Sequence, residues 1–194
     1  MNSRSYHSPL RGAQTAATRE RILEAVGTLL DKGEEPTFAL IASEAGCEQR
    51  TVYRHFSNKD ELAAAFWTWQ ARLLGPEEGE PSTEDELLAR VQAAFSGFDA
   101  HERHIRAMLH TEHGRAARLS DNERRQATFL RVLDNAVPGL DPTRRLRAAA
   151  SLQLLLSAAS WESLRDYWGL EGDAAVAAVQ QAIVAMLEGL RRAT

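Results

Sequence analysis

The sequence predicts an all-helical (all-α) protein, and three observations support that fold class. Apolar residues recur with the period of an α-helix in almost every segment. No segment alternates apolar and polar residues with the two-residue period of a β-strand. The composition, 44% hydrophobic and 26% charged over 194 residues, is that of a globular chain able to bury a substantial core. We expect about nine helices.

The first two helices follow a polar arm. Residues 1–15 form this arm, which is expected to be flexible, and a helix is predicted from about Ala16 to Asp31. Gly33 ends that helix, because the left-handed residue after a last turn is least costly for glycine. Thr37 is a suitable N-cap for a short second helix that ends at Gly46.

Two more helices and a linker complete the N-terminal part. The third helix opens after Cys47 and runs to about His55. The fourth begins at Asn58, whose side chain is expected to make a reciprocal capping pair with that of Glu61. This helix ends at Gly75, before residues 76–82, which hold two prolines, one glycine and three glutamates and form the clearest linker.

Five further helices are expected beyond the linker. Thr83 and Glu86 cap the first of them, and later starts are marked by Ser120 with Glu123, by Asp141–Pro142 and by Asp173. The predicted spans are 83–98, 100–111, 121–136, 142–168 and 173–192. We therefore divide the chain into a flexible arm (1–15), an N-terminal helical domain (16–60) and a C-terminal helical domain (61–194).

Residues 37–62 have the pattern of a helix-turn-helix: two short helices, a tight glycine turn and a well-capped third helix. In the second of these helices, Val52 and Phe56 lie on one side and are expected to pack on the preceding helix. The opposite side carries side chains that contact nucleic acid, Gln49, Arg50, Tyr53 and Arg54.

The predicted partner of this surface is double-stranded DNA. Gln49 and Arg50 stand in the first turn, which reaches base edges in the major groove, where Arg suits guanine and Gln suits adenine. Hydroxyl and imidazole donors and the lysine at the start of the next helix would bind phosphate oxygens. The DNA-binding candidates are Thr37, Gln49, Arg50, Thr51, Tyr53, Arg54, His55 and Lys59.

The segment TVYRHFSNKDEL, preceded by IASEAG, resembles the DNA-binding signature of the TetR family of bacterial transcriptional regulators. The resemblance covers roughly residues 16–66 and implies a three-helix DNA-binding domain followed by a helical ligand-binding and dimerisation domain. It implies that Tyr53, His55 and Lys59 touch phosphates and that residues 49–51 face the major groove. The sequence departs from the family at Glu48, where a small hydroxyl residue is more usual, and a carboxylate there would repel phosphate.

A second copy of the chain is the next expected partner. The helix at 142–168 is apolar nearly all round, and apolar residues of the last helix recur with spacings of 3 and 4, as in helix bundles. The resemblance implies that the last two helices of each subunit form a four-helix dimer interface. Its candidates are Leu152, Leu155, Leu156, Val179, Ile183, Met186, Leu187 and Leu190. Such a dimer would read a palindromic operator, because its recognition helices would fit successive major grooves about 34 Å apart.

The middle helices are expected to hold an unidentified small-molecule effector. They contain enough large side chains to line an apolar cavity, namely Trp67, Phe95, Phe98, His104, Met108, Phe129 and Trp161. Four histidines form two H-x-x-H pairs, at 101–104 and 110–113. No cysteine or well-spaced carboxylate pair completes a metal site beside them, so we expect neither metal nor cofactor.

The remaining features exclude other classes of function. No nucleophile elbow, phosphate-binding glycine loop or Ser-His-Asp set is present, which disfavours an enzyme. The single cysteine, the absence of an apolar leader and the short apolar stretch at 148–161 favour a cytoplasmic protein without membrane contact. Residues 1–60 carry eight basic and eight acidic residues, so the net charge of −4 falls on the rest of the chain. The functions left open are a ligand-released transcriptional repressor and, alternatively, a helical protein-binding adaptor without DNA binding.

Overall fold

The computed structural model describes residues 9–73 and 79–193, and within these ranges it contains eleven α-helices and no strand. The prediction of an all-helical fold is confirmed. The chain divides into two units, Met1–Gln70 and Ala71–Thr194. Most of the predicted arm (1–8) and part of the predicted linker (74–78) lie outside the described residues.

The first unit is built from four helices around one apolar core. Their bounds are α1 (Pro9–Asp31), α2 (Phe38–Glu44), α3 (Gln49–His55) and α4 (Lys59–Leu73). The core side chains that are at most 1% exposed are Ile22, Leu23, Ile41, Val52, Phe56 and Phe66. Each of the four helices contributes at least one of them, so each has one side committed to packing.

Three boundaries in this unit follow from local chemistry. Gly33 has a φ of 75° just after α1, and Gly46 has a φ of 60° between α2 and α3, a conformation that glycine adopts at little cost. The Thr37 hydroxyl caps α2 by accepting a hydrogen bond from the backbone N–H of Leu40 at 3.3 Å. The turn of the helix-turn-helix is therefore fixed by Gly46.

Two predictions for this unit differ from the structure. Residues 9–15, assigned to the flexible arm, form the first turns of α1, and Pro9 suits the first position of a helix because its missing N–H is not needed there. The first unit extends to Gln70 instead of residue 60, because α4 contributes the buried side chains of Leu62, Phe66 and Trp67.

The second unit consists of seven helices. Their bounds are α5 (Glu84–Ala100), α6 (Glu102–His110), α7 (Glu112–Ser120), α8 (Asn122–Ala136), α9 (Pro142–Leu155), α10 (Ala158–Trp168) and α11 (Asp173–Arg192). Two of the predicted caps are present. Thr83 and Glu86 form a reciprocal capping box at α5, and Asp141 accepts the backbone N–H groups of Thr143 and Arg144 at 3.0 Å.

The described residues form two helices more than the nine expected. The predicted helix at 142–168 is interrupted at Ser157, whose hydroxyl donates to the carbonyl of Leu154 at 2.6 Å and accepts the N–H of Ser160 at 3.1 Å. A serine side chain that bonds the local backbone competes with the helical pattern, and here it starts α10. The other additional helix is α7, which was not predicted.

The corner between α6 and α7 depends on one glycine. Gly114 is buried, and a Cβ atom placed on it would lie 2.6 Å from the Cα of Met108. Thr111 caps α7 by accepting the N–H of Gly114 at 3.2 Å. The two helices can approach this closely only because position 114 has no side chain.

Two other predicted caps differ from the structure. Asn58 accepts the N–H of Glu61 at 2.8 Å as expected, but the Glu61 carboxylate accepts the N–H and hydroxyl of Ser57 instead of returning to Asn58. Ser120, predicted with Glu123 to start the helix at 121, is instead the last residue of α7, where its hydroxyl donates to the carbonyl of Ala117 at 2.8 Å. Asp121 precedes α8 without capping it, and its carboxylate binds Arg124 and Arg125.

The last helix, α11, is long and apolar enough to cross a membrane by length and composition alone, with a mean hydropathy of 1.3. A core helix passes the same test. One side of α11 is buried in the second unit through Val176, Val179, Ile183 and Leu187. Its composition therefore has an explanation in packing.

Candidate functional site

The polar side of α3 is the surface that the sequence assigns to DNA. Val52 and Phe56 are 0% and 1% exposed, so they attach the helix to the core of the first unit. Gln49, Arg50 and Arg54 are exposed on the other side of the helix. The expected division into a buried apolar side and an open polar side is therefore present.

Glu48 precedes α3 and engages Arg50. Glu48 occupies the N-cap position without making a side-chain capping bond. Its carboxylate lies 2.6 Å from Nε and 3.3 Å from an Nη atom of Arg50, and both side chains are largely exposed. The arginine assigned to base edges is thus held by a neighbouring carboxylate, which sequence reasoning had placed only as a source of repulsion.

Three other residues that the sequence assigns to DNA contacts lie on or beside this helix. The Tyr53 ring is 53% exposed and packs on Phe38 of α2, with 4.5 Å between ring centroids. Thr51 is half-buried, and Thr37 is exposed but uses its hydroxyl to cap α2. Phe38 therefore fixes the direction in which the tyrosine extends from α3.

His55 is less accessible than the sequence suggested. It is half-buried at the end of α3, and its Nε2 atom is buried without a hydrogen-bond partner in the structure. Burial, followed by the positive charges of Arg54 and Arg19, lowers the pKa of His55. The ring is therefore neutral at physiological pH and can offer a hydrogen bond but not a positive charge.

Lys59 is the first residue of α4, as predicted. Its Nζ lies 3.0 Å from a carboxylate oxygen of Glu35, and both side chains are mostly exposed. An exposed pair of this kind is weak in water, so the lysine can exchange it for another anion. The backbone N–H groups of the first turn of α4 favour the same charge.

The second unit contains a cavity of about 420 Å³. Three of the predicted pocket residues line it: Phe98, Met108 and Phe129. Apolar side chains from α5 and from the end of α9, Leu87 and Leu156, complete this part of the wall. A volume of this size suits a small organic molecule.

The other predicted pocket residues lie elsewhere. Phe95, His104 and Trp161 are buried in the second unit away from the cavity wall, and Trp67 is buried in the first unit against Phe66. The indole N–H of Trp161 donates to Asp99 at 2.8 Å. This bond and its burial make Trp161 a core residue.

Sequence reasoning missed the charged part of the cavity wall. Five arginines line it: Arg90, Arg115, Arg118, Arg124 and Arg125. The signal in the sequence was the density of arginine between residues 115 and 125, within segments that also carry apolar residues. Arginine is common on exposed helix faces, so only the tertiary structure shows that these five share one cavity.

The predicted dimer residues fall into two groups. Leu152, Val179, Ile183 and Leu187 are at most 1% exposed in the single chain, so they have no surface left for a partner. Leu155, Leu156, Met186 and Leu190 are half-buried. The assignment of the first group to the dimer interface is therefore corrected. The regular 3–4 spacing on α11 marks the side of the helix that faces the core of its own chain.

The outward surface of these helices is also apolar. On α11, Ala174, Ala182, Ala185 and Gly189 are exposed. Large apolar side chains on α9 and α10 are between 62% and 82% exposed, namely Leu146, Leu154, Tyr167 and Trp168. Extensive exposed apolar surface of this kind marks a site of association.

The histidine pairs do not form a multi-ligand cluster in the described part of the chain. His101 and His104 stack with 6.0 Å between ring centroids, and Nε2 of His110 lies 2.8 Å from Glu162. Among the described residues there is no group of three or more potential metal ligands.

Comparisons with known proteins bear on both units. Residues 22–66 match the sequence model of the bacterial regulatory proteins of the tetR family. The chain is also similar to the crystal structure of a "putative transcriptional regulator from Pseudomonas aeruginosa PAO1", with a TM-score of 0.62 and 20% identity over 97% of this chain and 96% of that chain. At this identity the likeness shows a shared fold. A comparison with curated proteins gives no match.

The first unit, with its glycine turn and the open polar side of α3, has the form of a helix-turn-helix domain of bacterial regulatory proteins. The tetR-family model matches residues 22–66 of the first unit, which confirms the resemblance carried by IASEAG and TVYRHFSNKDEL.

Proposed function

We propose that this protein is a cytoplasmic repressor that binds a palindromic operator as a homodimer and leaves the DNA when a small molecule occupies the second unit. The observation that carries the proposal is the division of α3, with Val52 and Phe56 buried and Gln49, Arg50 and Arg54 exposed. A helix held in this way can enter a major groove without losing its packing.

The roles of the polar residues follow from their chemistry. Arg50 and Gln49 are assigned to base edges, and Arg50 must leave Glu48 before it can donate two hydrogen bonds to guanine. Tyr53, Lys59 and Arg54 are assigned to phosphates, with Thr51, Thr37 and a neutral His55 as further hydrogen-bond donors. Phosphate contacts position the protein, whereas base contacts select the sequence.

The proposed dimer uses the outward apolar surface of the second unit. We assign to it the exposed alanine side of α11 and the exposed leucines of α9, together with the half-buried Leu155, Leu156, Met186 and Leu190. Small residues allow two helices to approach closely, and burial of apolar surface supplies the free energy of association. A two-fold dimer then matches the symmetry of a palindrome.

Ligand release requires that the effector favours one arrangement of the dimer over another. A molecule that binds both arrangements equally cannot change DNA affinity, however tightly it binds. The cavity of about 420 Å³ in the second unit is the proposed site of this effector.

Fluorescence anisotropy with the DNA upstream of the chain's own gene tests the proposal. Arg50→Ala should reduce the preference for the operator over a scrambled duplex, at a cost of about 1–3 kcal/mol. Lys59→Ala should weaken binding to all sequences alike. It should also lower the slope of log Kd against log salt concentration by about one. Arg103→Ala, an exposed arginine of the second unit, is the matched control and should change neither quantity.

Two outcomes would contradict the DNA assignment. If neither Arg50→Ala nor Lys59→Ala altered binding to a verified operator, α3 would not be the reading helix. If the chain bound no DNA but captured another protein through the same surface, it would be the adaptor that the sequence left open.

A further inference from the structure

The wall of the cavity in the second unit carries an excess of positive charge. Its charged residues are Glu80 and five arginines. Four of those arginines come from one stretch, residues 115–125, at the junction of α7 and α8. The positive charge is therefore concentrated at one part of the cavity wall.

Two of the four are already neutralised by carboxylates. Arg124 binds Glu80 and also Asp121, whose carboxylate oxygens lie 2.7 Å and 2.5 Å from the guanidinium. Arg125 lies 3.3 Å from the same aspartate. These two arginines form a structural network that holds the start of α8.

The other two have no carboxylate partner in the described part of the chain. Arg118 donates to the carbonyl groups of Met108 and Leu109 at the end of α6. Arg115 precedes it by one helical turn on α7 and makes no ion pair with the described residues. Two guanidinium groups thus border the cavity with their charge not balanced by an acid.

The pKa values agree with an electropositive site. Burial, followed by the charges of Arg125 and Arg115, lowers the pKa of Arg118. Burial also lowers the pKa of Arg90, on the same wall. The protein alone therefore leaves these cations less well stabilised than they are in water, and a bound anion would reverse that effect.

The uncharged part of the wall is mostly apolar, and its polar side chains are Asn122, Thr128, Gln153 and Ser157. The apolar wall residues Phe98, Met108, Phe129 and Leu156 come from four different helices or their ends. All four lie outside residues 115–125, and the nearest in sequence is Phe129, one turn after Arg125. The first turn of α10, which begins after Ser157, borders the same space, and helix N-termini favour negative charge. The cavity is therefore shaped for a molecule with one charged group and a larger apolar body.

We propose that the cavity binds an amphipathic organic anion, with its negatively charged group at Arg115 and Arg118 and its apolar body against Phe98, Met108 and Phe129. Arginine suits this role because its planar guanidinium donates two parallel hydrogen bonds to a carboxylate. The inference deepens the proposed function by naming the chemical class of the effector. The binding of the anion does not depend on the proposed function; only its expected effect on DNA affinity does.

Equilibrium dialysis of the full chain tests the ligand class with two matched pairs of probes: 2-naphthoate against 2-naphthamide, and octanoate against octanamide. Each pair keeps the apolar body and removes the charge. At least one acid should bind at least tenfold more tightly than its amide. Arg115→Gln should weaken binding of that acid about tenfold and leave binding of the amide unchanged.

Arg118 needs a second variant because it also holds the end of α6. Arg118→Gln should weaken binding of the acid as Arg115→Gln does, whereas Arg118→Lys should retain part of the affinity because the charge remains. Arg103→Gln, which alters an exposed arginine outside the cavity wall, should bind the acid like the wild type. Thermal unfolding of each variant shows whether it is folded.

The proposal is overturned if neither acid binds, if each amide binds as tightly as its acid, or if a folded Arg115→Gln variant binds the acid like the wild type. The same samples are then tested with operator DNA. An acid that binds a chain without DNA affinity contradicts the repressor and supports the ligand class. Normal DNA binding without any binding of the acids contradicts the ligand class alone.

Discussion

At the scale of single residues, the proposed contact of α3 with a DNA groove depends on Glu48 and Arg50. Glu48 stands where a helix start favours Ser, Thr, Asp or Asn, yet it makes no capping bond and holds Arg50 instead. The exposed pair contributes little to folding, so its effect is expected mainly in DNA binding. Substitutions of Glu48 can therefore measure its effect on DNA binding separately from its effect on stability.

We expect Glu48→Gln to increase affinity for DNA roughly two- to fivefold, because it releases Arg50 and removes a negative charge from the phosphate side. Glu48→Ser should have the same effect on affinity and should also stabilise the chain by about 1 kcal/mol through a new N-cap. Anisotropy titrations and urea unfolding measure the two quantities. Unchanged affinity in both variants would mean that Glu48 does not face the DNA.

His55 makes the stability of the chain depend on pH. Because its pKa is lowered in the folded state, the unfolded chain binds more protons once the pH falls below the ordinary histidine value of about 6.5. Acidification through that range therefore favours unfolding.

We expect the urea midpoint of the wild type to fall between pH 7.5 and pH 5.5 by more than that of His55→Gln, which cannot titrate at this position. The difference between the two chains isolates His55 from the carboxylates. Parallel decreases in wild type and variant would show that burial of the His55 ring does not affect its protonation.

At the scale of elements, the α6–α7 corner joins the fold to the cavity. Gly114 allows the backbone of Met108 to approach, and the carbonyl of Met108 accepts a hydrogen bond from Arg118. One close contact thus positions a wall residue from each helix, Met108 and Arg118. The corner is the element whose disturbance should affect both stability and ligand binding.

Gly114→Ala should destabilise the chain by about 1–3 kcal/mol, because the added methyl group would meet the Met108 backbone, which cannot move aside as a side chain could. Gly12→Ala is the control: Gly12 lies in α1 with nothing within 4 Å of an added Cβ, and alanine should stabilise that helix by about 0.5–1 kcal/mol. Urea unfolding followed by circular dichroism measures both. Equal stability of Gly114→Ala and wild type would show that the corner relaxes freely.

At the scale of the whole molecule, α11 has two sides with different tasks. The inward side fills the core through Val179, Ile183 and Leu187, and the outward side presents alanines and a glycine together with the polar Gln181 and Glu188. The proposed dimer depends on the outward side, so a charge placed there should separate subunits without unfolding either one.

Ala182→Glu should shift the protein from dimer to monomer in sedimentation velocity and reduce affinity for a palindrome far more than affinity for a half-site. Ala116→Glu is the matched control, because Ala116 is an exposed alanine of α7, outside the proposed dimer surface. If both variants sedimented like the wild type, the subunits would associate through another surface.

Interactions between residues close in sequence made the helical elements and the exposed polar side of α3 predictable. The 3.6-residue period predicted helices, and Gly46 predicted the turn. Val52 and Phe56 predicted which side of α3 is buried. Each of these signals acts within one or two helical turns. The break at Ser157 and the existence of α7 were not predicted, since serine and glycine occur inside helices as well as at their ends. Whether such a residue ends a helix depends on what packs against it.

Burial across the fold was decided only by the tertiary structure. Apolar residues at regular spacing on α11 predicted an interface, but Val179, Ile183 and Leu187 face the core, because periodicity marks an apolar side without saying what covers it. The arginines at 90 and between 115 and 125 meet around one cavity although they lie on three helices. The sequence by itself determined the helical class of the elements and the exposed polar side of α3, which are local properties. The cavity and its charge arise from contacts between distant segments, and those exist only once the chain has folded.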